Sequence, residues 1–230
     1  STKKEDFIAG VEQIQKAIAA GTIQQVVLSQ RLLLQGEADP LASYRLLRSI
    51  NPSPYLFWLH FPQLDLVGSS PEALVKLEGS KASIWPIAGT RPRGKDAQED
   101  LLLASELLED PKERSEHMML VELGKQDLAQ VAKTGTVKVD ALMRLERYSH
   151  VMHLVSALSC ELDRSHDAFD LFRACFPAGT VSGAPRPEAM ALIEALEPHR
   201  RGPYAGGVGY FSFAGNMDFC IAIRMLVFQK

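Results

Sequence analysis

The sequence predicts an α+β fold with largely antiparallel sheets. Two observations carry that prediction. Strand-like apolar runs come as adjacent pairs instead of alternating strictly with helices, as in "YLFWLHF" (55–61), "EALVKLEG" (72–79) and "ASIWPIAG" (82–89). The helical stretches lie outside these runs and carry their own start and stop signals. A third observation sets the organisation: no Pro/Gly-rich linker divides the 230 residues, so the chain reads as one domain, 1–230.

In order along the chain, Thr2 and Glu5 have the spacing of a capping box, Phe7, Val11, Ile14 and Ile18 mark one helical face, and Gly21 ends the helix. "QQVVLSQRLLL" (24–34) reads as a buried strand. Asp39–Pro40 starts a short helix that stops before Asn51–Pro52. After the three strand-like runs, Asp96 and Glu99 box a helix to about Leu108, and Asp110, Pro111 and Glu113 start a longer one to about Ala132. "VMHLVSALSCEL" (151–162) is strand-like, and Asp167 caps a helix to about Cys175. Pro187 opens a helix with Ala189, Leu192, Ile193 and Leu196 on one face. "GYFSF" and "DFCIAIRMLVF" close the chain as a hairpin across "AGNM".

Composition excludes several classes. The chain is 46% hydrophobic and 23% charged, an ordinary globular balance, with a net charge of −3 that gives no footing for nucleic acid or an anionic membrane surface. No apolar run reaches a transmembrane length. The charged "STKKEDF" lacks the apolar stretch of a signal peptide. Cys160, Cys175 and Cys220 are odd in number and set in apolar surroundings, which fits reduced core thiols and a cytoplasmic location.

Three glycine-rich stretches invite a ligand. "FPAGTVSGAP" (176–185) precedes a helix, so Gly179 and Thr180 amides suit an anion at a helix start, although a tight connection alone would explain the loop. It matches neither GxxxxGK[ST] nor GxGxxG. "PIAGTRPRG" (86–94) and "RRGPYAGGVGYF" (200–211) add Gly89–Thr90 and Gly202, Gly206, Gly207 and Gly209 at strand edges. By the period of two, Arg224 shares a strand face with Cys220, Ala222 and Leu226. An arginine among apolar groups needs a carboxylate or phosphate partner, either a ligand or a protein Asp or Glu.

Glu113 and Glu116, at i and i+3, lie on one helical face and suit a hard cation or simply a solvated acidic turn. His150 and His153 would point to opposite faces of a strand, so they do not pair on a metal. Glu72, after Pro71 at a strand edge, is a carboxyl that could act as a general acid if desolvated. A metal-dependent hydrolase built on Glu113, Glu116 and His117 lacks any accompanying nucleophile motif.

Taken in chain order, "VVLSQR", "GSSPE", "PIAGTRPRG", "SEHMMLVELG", "RYSHVMH", "FPAGTVSGAP", "RRGPYAGGVGYF" and "GNMDFCIAIR" resemble the chorismate-utilising enzymes over nearly all 230 residues, most closely the synthase subunit of anthranilate synthase. The resemblance implies large antiparallel sheets packed as a sandwich with outer helices. It implies a Mg²⁺-dependent lyase that converts chorismate to anthranilate, with ammonia supplied by a glutamine amidotransferase subunit. Chorismate is a dicarboxylate, so the anion implied is a carboxylate.

The same resemblance places substrate contacts at Gly89, Thr90, Gly179, Tyr204, Gly206, Gly207 and Arg224. Catalytic roles fall on Glu72, as acid for the departing C4 hydroxyl, on His153, near the ring carboxylate, and on Thr180. Glu116 matches a Mg²⁺ ligand, with Glu113 close by. Water-adding members of the family are similar to one another in a lysine just before "VVLS"; Gln25 stands there, and Ala88 replaces the lysine of some aminodeoxychorismate synthases. Both favour ammonia addition at C2, with aminodeoxychorismate synthesis and a non-catalytic chorismate-binding domain as the alternatives. "VELGKQDLAQV" and Arg186 depart mildly from the family pattern. The family's N-terminal region, its last strand and its final helix with a second Mg²⁺ glutamate have no counterpart in the 230 residues, which leads us to expect a catalytic-domain fragment.

Overall fold

The computed structural model describes residues 2–229. In chain order the elements are α1 (Lys4–Ala19), β1 (Gln25–Val26), α2 (Pro40–Ile50), β2 (Tyr55–His60), β3 (Leu64–Ser70), β4 (Ala73–Glu78), β5 (Lys81–Ile84), β6 (Ile87–Pro92), α3 (Ala97–Glu109), α4 (Pro111–Ala129), β7 (Lys138–Arg147), β8 (Val151–Glu161), α5 (Ala168–Cys175), β9 (Gly183–Ala184), α6 (Arg186–Leu196), β10 (Gly207–Phe211), β11 (Met217–Ile221) and β12 (Met225–Gln229). The fold class is the expected α+β one, with antiparallel pairing in the two larger sheets. No helix among the described residues is long and apolar enough to cross a membrane.

The chain forms two compact units. The first takes the residues up to Glu72, Pro177–Val208 and those from Cys220 onward; the second takes Ala73–Phe176 and Gly209–Phe219. In the first unit β3 is the middle strand of a sheet ordered β12-β3-β2, and β1 pairs with β9. Phe57, Leu66 and Cys220 form a core there, flanked by Tyr55, Leu59, Val208 and Met225. Gly68 lies opposite Phe57, and a Cβ on it would fall within 2.1 Å of the Phe57 ring, so the missing side chain is what seats that ring.

The second unit holds a sheet ordered β10-β11-β4-β5-β8-β6, with β7 also paired to β8. Ala104 and Leu107 of α3 pack on Met152 and Leu154 of β8. β5 and β6 run along β8 in one register, with Ile84 opposite Leu158 and Ile87 opposite Val155. Pro86 interrupts them: it has no N–H to give, while its carbonyl accepts from the Ser156 N–H at 3.0 Å.

Several expectations are corrected. The 24–34 run forms strand only at Gln25–Val26, and Leu32, Leu33 and Leu34 are exposed; apolar character measures readiness for burial, not the presence of a partner strand. Lys3, not Thr2, caps α1, with no side-chain hydrogen bond. The run 82–89 is β5 and β6 divided at Trp85–Pro86. The final run 218–228 is two strands in two sheets: the chain turns at Arg224, whose φ is +51°, and β12 pairs with β3. Arg224 is therefore not on a strand face with Cys220, Ala222 and Leu226; it is an exposed residue at a corner. The expected caps Asp39, Asp96, Asp110 and Asp167 are all in place.

Candidate functional site

The candidate residues fall into two groups, one in each unit. In the first unit Glu72 follows β3 after Ser70–Pro71, and its carbonyl accepts from the Ile221 N–H at 3.0 Å. Burial pushes its carboxyl from the ordinary 4.5 up to about 7, and the nearby Thr180 hydroxyl and Arg224 charge oppose that rise only in part; Thr180 Oγ1 is itself buried without a hydrogen-bond partner. A carboxyl with that value holds a transferable proton at neutral pH. Thr180 and Arg224 are thus the polar groups that act on the Glu72 carboxyl, Arg224 from a left-handed turn and not from a strand face.

Gly179 and Thr180 sit in a turn between α5 and β9. The Ala178 carbonyl accepts from the Val181 and Ser182 N–H groups, and from the Ser182 hydroxyl at 2.7 Å. The Tyr204–Gly207 stretch is fixed in the same unit. Ala205, with φ +65°, donates to the Ala222 carbonyl, and Ala222 donates back to Gly206. A Cβ on Gly206 would lie 2.9 Å from the Pro203 carbonyl, so the turn closes only without a side chain.

In the second unit the geometry centres on Gly89. Its φ of +85° makes a bulge in β6 that shifts the register from Ala88 opposite Leu154 to Thr90 opposite His153. The shift brings the Thr90 hydroxyl 2.9 Å from His153 Nδ1, which is also 3.3 Å from the Gly89 carbonyl. The Tyr148 ring lies 5.7 Å from the His153 ring, centre to centre. Glu113 reaches the same place from α4, with Oε2 3.4 Å from where a Gly89 Cβ would stand.

Glu113 is already engaged. Arg91 donates to it at 2.9 Å and to Asp110 at 2.8 Å, half-buried on both sides. Glu116 is half-buried one turn further along α4. Among the described residues no three His, Cys, Asp or Glu side chains gather as a metal site. Two carboxylates one turn apart suit in kind a hard cation that keeps most of its waters.

His117 does not join them. It is fully buried, its Nδ1 donating to the Ala88 carbonyl at 3.2 Å and its Nε2 accepting from the Ser156 hydroxyl at 2.6 Å. The Ser156 oxygen in turn accepts from the Met143 N–H. Burial holds His117 below its usual range, against the Ala88 contact. Both ring nitrogens are spent on the scaffold, which removes the hydrolase alternative built on this residue.

Sequence reading missed two supports: the Arg91 fork on Asp110 and Glu113, and a buried Arg201–Glu197 pair. The i, i+4 spacing of Glu197 and Arg201 was the available signal for the second; the first joins a strand to a helix and leaves no local pattern.

The chorismate binding enzyme family matches residues 1–230, and the chain belongs to that family. Anthranilate synthase component 1 of Aquifex aeolicus is 54% identical over 226 residues, which cover 98% of this chain and 46% of that protein. The Synechocystis protein of the same name is 53% identical over 235 residues, covering 100% of this chain and 46% of that protein. Among solved structures, anthranilate synthase component I from Streptococcus pneumoniae superposes with a TM-score of 0.91 at 40% identity, covering 98% of this chain and 50% of that one. MenF, the menaquinone-specific isochorismate synthase of Escherichia coli, superposes at 0.82 with 25% identity, covering 99% and 53%. The chain thus spans about half the length of these relatives.

Proposed function

We propose that this chain carries catalytic machinery of an anthranilate synthase, adding ammonia at C2 of chorismate and releasing pyruvate. The observation that carries the reading is the Glu72 carboxyl, held protonated near neutrality beside Thr180 and Arg224. In this role Glu72 gives its proton to the C4 hydroxyl, which departs as water while nitrogen bonds to C2; loss of pyruvate and a ring proton then gives the aromatic product. Arg224 and Tyr204, with the Gly179, Gly206 and Gly207 backbone, bind substrate carboxylate, and Thr180 steadies the acid. Gly89, Thr90 and His153 orient the ring carboxylate through the bulged end of β6.

Bound Mg²⁺ would supply Lewis-acid polarisation of the ring carboxylate; Glu116 would hold it, with Glu113 reached through water. Gln25 and Ala88 offer no general base for water, which favours ammonia as nucleophile, delivered in the whole protein by a glutamine amidotransferase subunit in the cytoplasm.

The test is incubation with chorismate, Mg²⁺ and ammonium, with the product identified by mass. Anthranilate is expected. Isochorismate or salicylate would overturn the nucleophile assignment, and 4-amino-4-deoxychorismate would assign the chain to the other ammonia-using branch. Glu72→Gln should reduce turnover by about 10²–10⁴-fold with chorismate affinity retained; normal turnover would remove Glu72 from the mechanism.

A further inference from the structure

His117 is a fully buried side chain of α4, one residue after Glu116 and four after Glu113, so it shares the helical face of Glu113. Its Nδ1 lies 3.2 Å from the Ala88 carbonyl oxygen and its Nε2 2.6 Å from the Ser156 hydroxyl. The protons have one consistent placement. A carbonyl only accepts, so Nδ1 carries the ring hydrogen. The Ser156 oxygen accepts from the Met143 N–H at 2.9 Å and gives its own hydrogen to Nε2. A ring protonated on both nitrogens would leave that hydroxyl hydrogen with no acceptor among these groups. The donors therefore run one way, from Met143 through Ser156 and His117 to Ala88, and join β7, β8, α4 and β6 of the second unit. Ser156 is fully buried as well, and its N–H donates to the Pro86 carbonyl at 3.0 Å.

The end of this chain of donors is the bulge. β6 is the last strand of its sheet path and is bonded to β8 on one side only among the described residues. Ala88 immediately precedes Gly89, whose φ of +85° shifts the register so that Thr90 faces His153. Two polar ties join this stretch to α4. The Arg91 fork on Asp110 and Glu113 is part-exposed on both sides, where ion pairs hold little. The His117 tie is fully buried, and the ring cannot swing aside without stranding a buried polar group. We infer that His117 is a positioning residue of the candidate site: through the Ala88 carbonyl it ties the Glu113 face of α4 to the Gly89 bulge and thereby sets the Thr90–His153 pair. The inference rests on the chorismate reading above only for its catalytic consequence.

The first measurement is the tautomer of His117 by nitrogen-15 NMR of this chain, assigned with His117→Asn. Hydrogen on Nδ1 is expected; a ring without it has nothing to give Ala88, and the inference fails. The second compares two variants that each keep one end of the ring. Asparagine offers its amide N–H near the place of Nδ1, so His117→Asn retains the donor to Ala88 and loses Ser156. Glutamine reaches the place of Nε2, so His117→Gln retains Ser156 and loses Ala88. Both should lower the melting temperature by similar amounts, since each leaves one buried group unpaired. Only His117→Gln should move the His153 ring signals, toward their position in Thr90→Val, where the pair is removed outright. A merely structural role would move them equally in both variants. That result, or unmoved signals in folded His117→Gln, overturns the positioning role. If His117→Gln does not fold, Ser156→Ala decides: it leaves the ring in place without the hydroxyl that orients it, and a smaller movement of His153 in the same direction is expected. No movement there overturns the role.

With chorismate, Mg²⁺ and ammonium, kcat of His117→Gln should fall about 10–10²-fold below that of His117→Asn, the size a slight misplacement of positioned groups produces. Equal turnover in the two variants overturns the bearing of His117 on the reaction. Moved His153 signals in a chain whose parent makes no product from chorismate uphold the positioning role and overturn only the function proposed above.

Discussion

Glu72 places function and stability in opposition at one carboxyl. Its folded value of about 7 lies above the ordinary 4.5, so the folded chain binds the proton more tightly than the unfolded chain between those limits. The stability linked to that proton is full below about pH 4.5 and is lost as pH rises through about 7. A general acid must be protonated, so turnover should fall over the same upper limb. Replacing Glu72 with Gln removes the charge that burial penalises. The melting temperature of Glu72→Gln should therefore exceed that of the parent at pH 8 and approach it at pH 5, while activity is lost. An equal difference at both pH values would show that the carboxyl is not strained by burial.

Among the elements, β6 shows how a backbone detail places chemistry. Gly89 and Gly135 both have positive φ, +85° and +78°, but a Cβ on Gly135 meets nothing within 4 Å, whereas one on Gly89 meets Leu107 at 3.1 Å, Leu154 at 3.3 Å and Glu113 at 3.4 Å. Alanine at either site should lose about 1–2 kcal/mol to the left-handed backbone. Gly89→Ala should lose more, and should also disturb the Thr90–His153 pair. Thermal unfolding of the two variants checks this, and equal losses would mean that the bulge is not crowded.

The same elements show what was legible. Asp39, Asp96, Asp110 and Asp167 act through neighbours two or three residues away, so their caps were readable. β3 was not, because its Asp65, Gly68, Ser69 and Ser70 are buried and break any apolar pattern. β7 was not, because shifts between Val139 and Arg144 break its period of two. For the site, the motif residues were legible through resemblance. The left-handed turn at Arg224, and the Arg91 fork on Asp110 and Glu113, depend on contacts far apart in sequence and had no local trace.

At the scale of the whole molecule, charge and apolar surface set behaviour in solution. With 28 acidic and 25 basic side chains the chain has little net charge to keep copies apart. Leu32, Leu33 and Leu34 are 77%, 67% and 92% exposed, three consecutive apolar side chains in a segment that forms no strand. Just before it the chain is fixed where Val27 meets Arg201, Ser29 meets Glu197 and Arg31 donates to the Arg200 carbonyl. An exposed run of this kind favours association over solvation. Sedimentation velocity should show the average mass rising with concentration in the parent. Changing Leu32, Leu33 and Leu34 together to Ser should suppress that rise and leave the melting temperature within about 1–2 °C, because surface changes away from packed groups are worth about 0.5 kcal/mol or less. A parent that stays monomeric at high concentration, or a triple variant that associates equally, would locate the sticky surface elsewhere; a large drop in melting temperature would show that these leucines are packed after all.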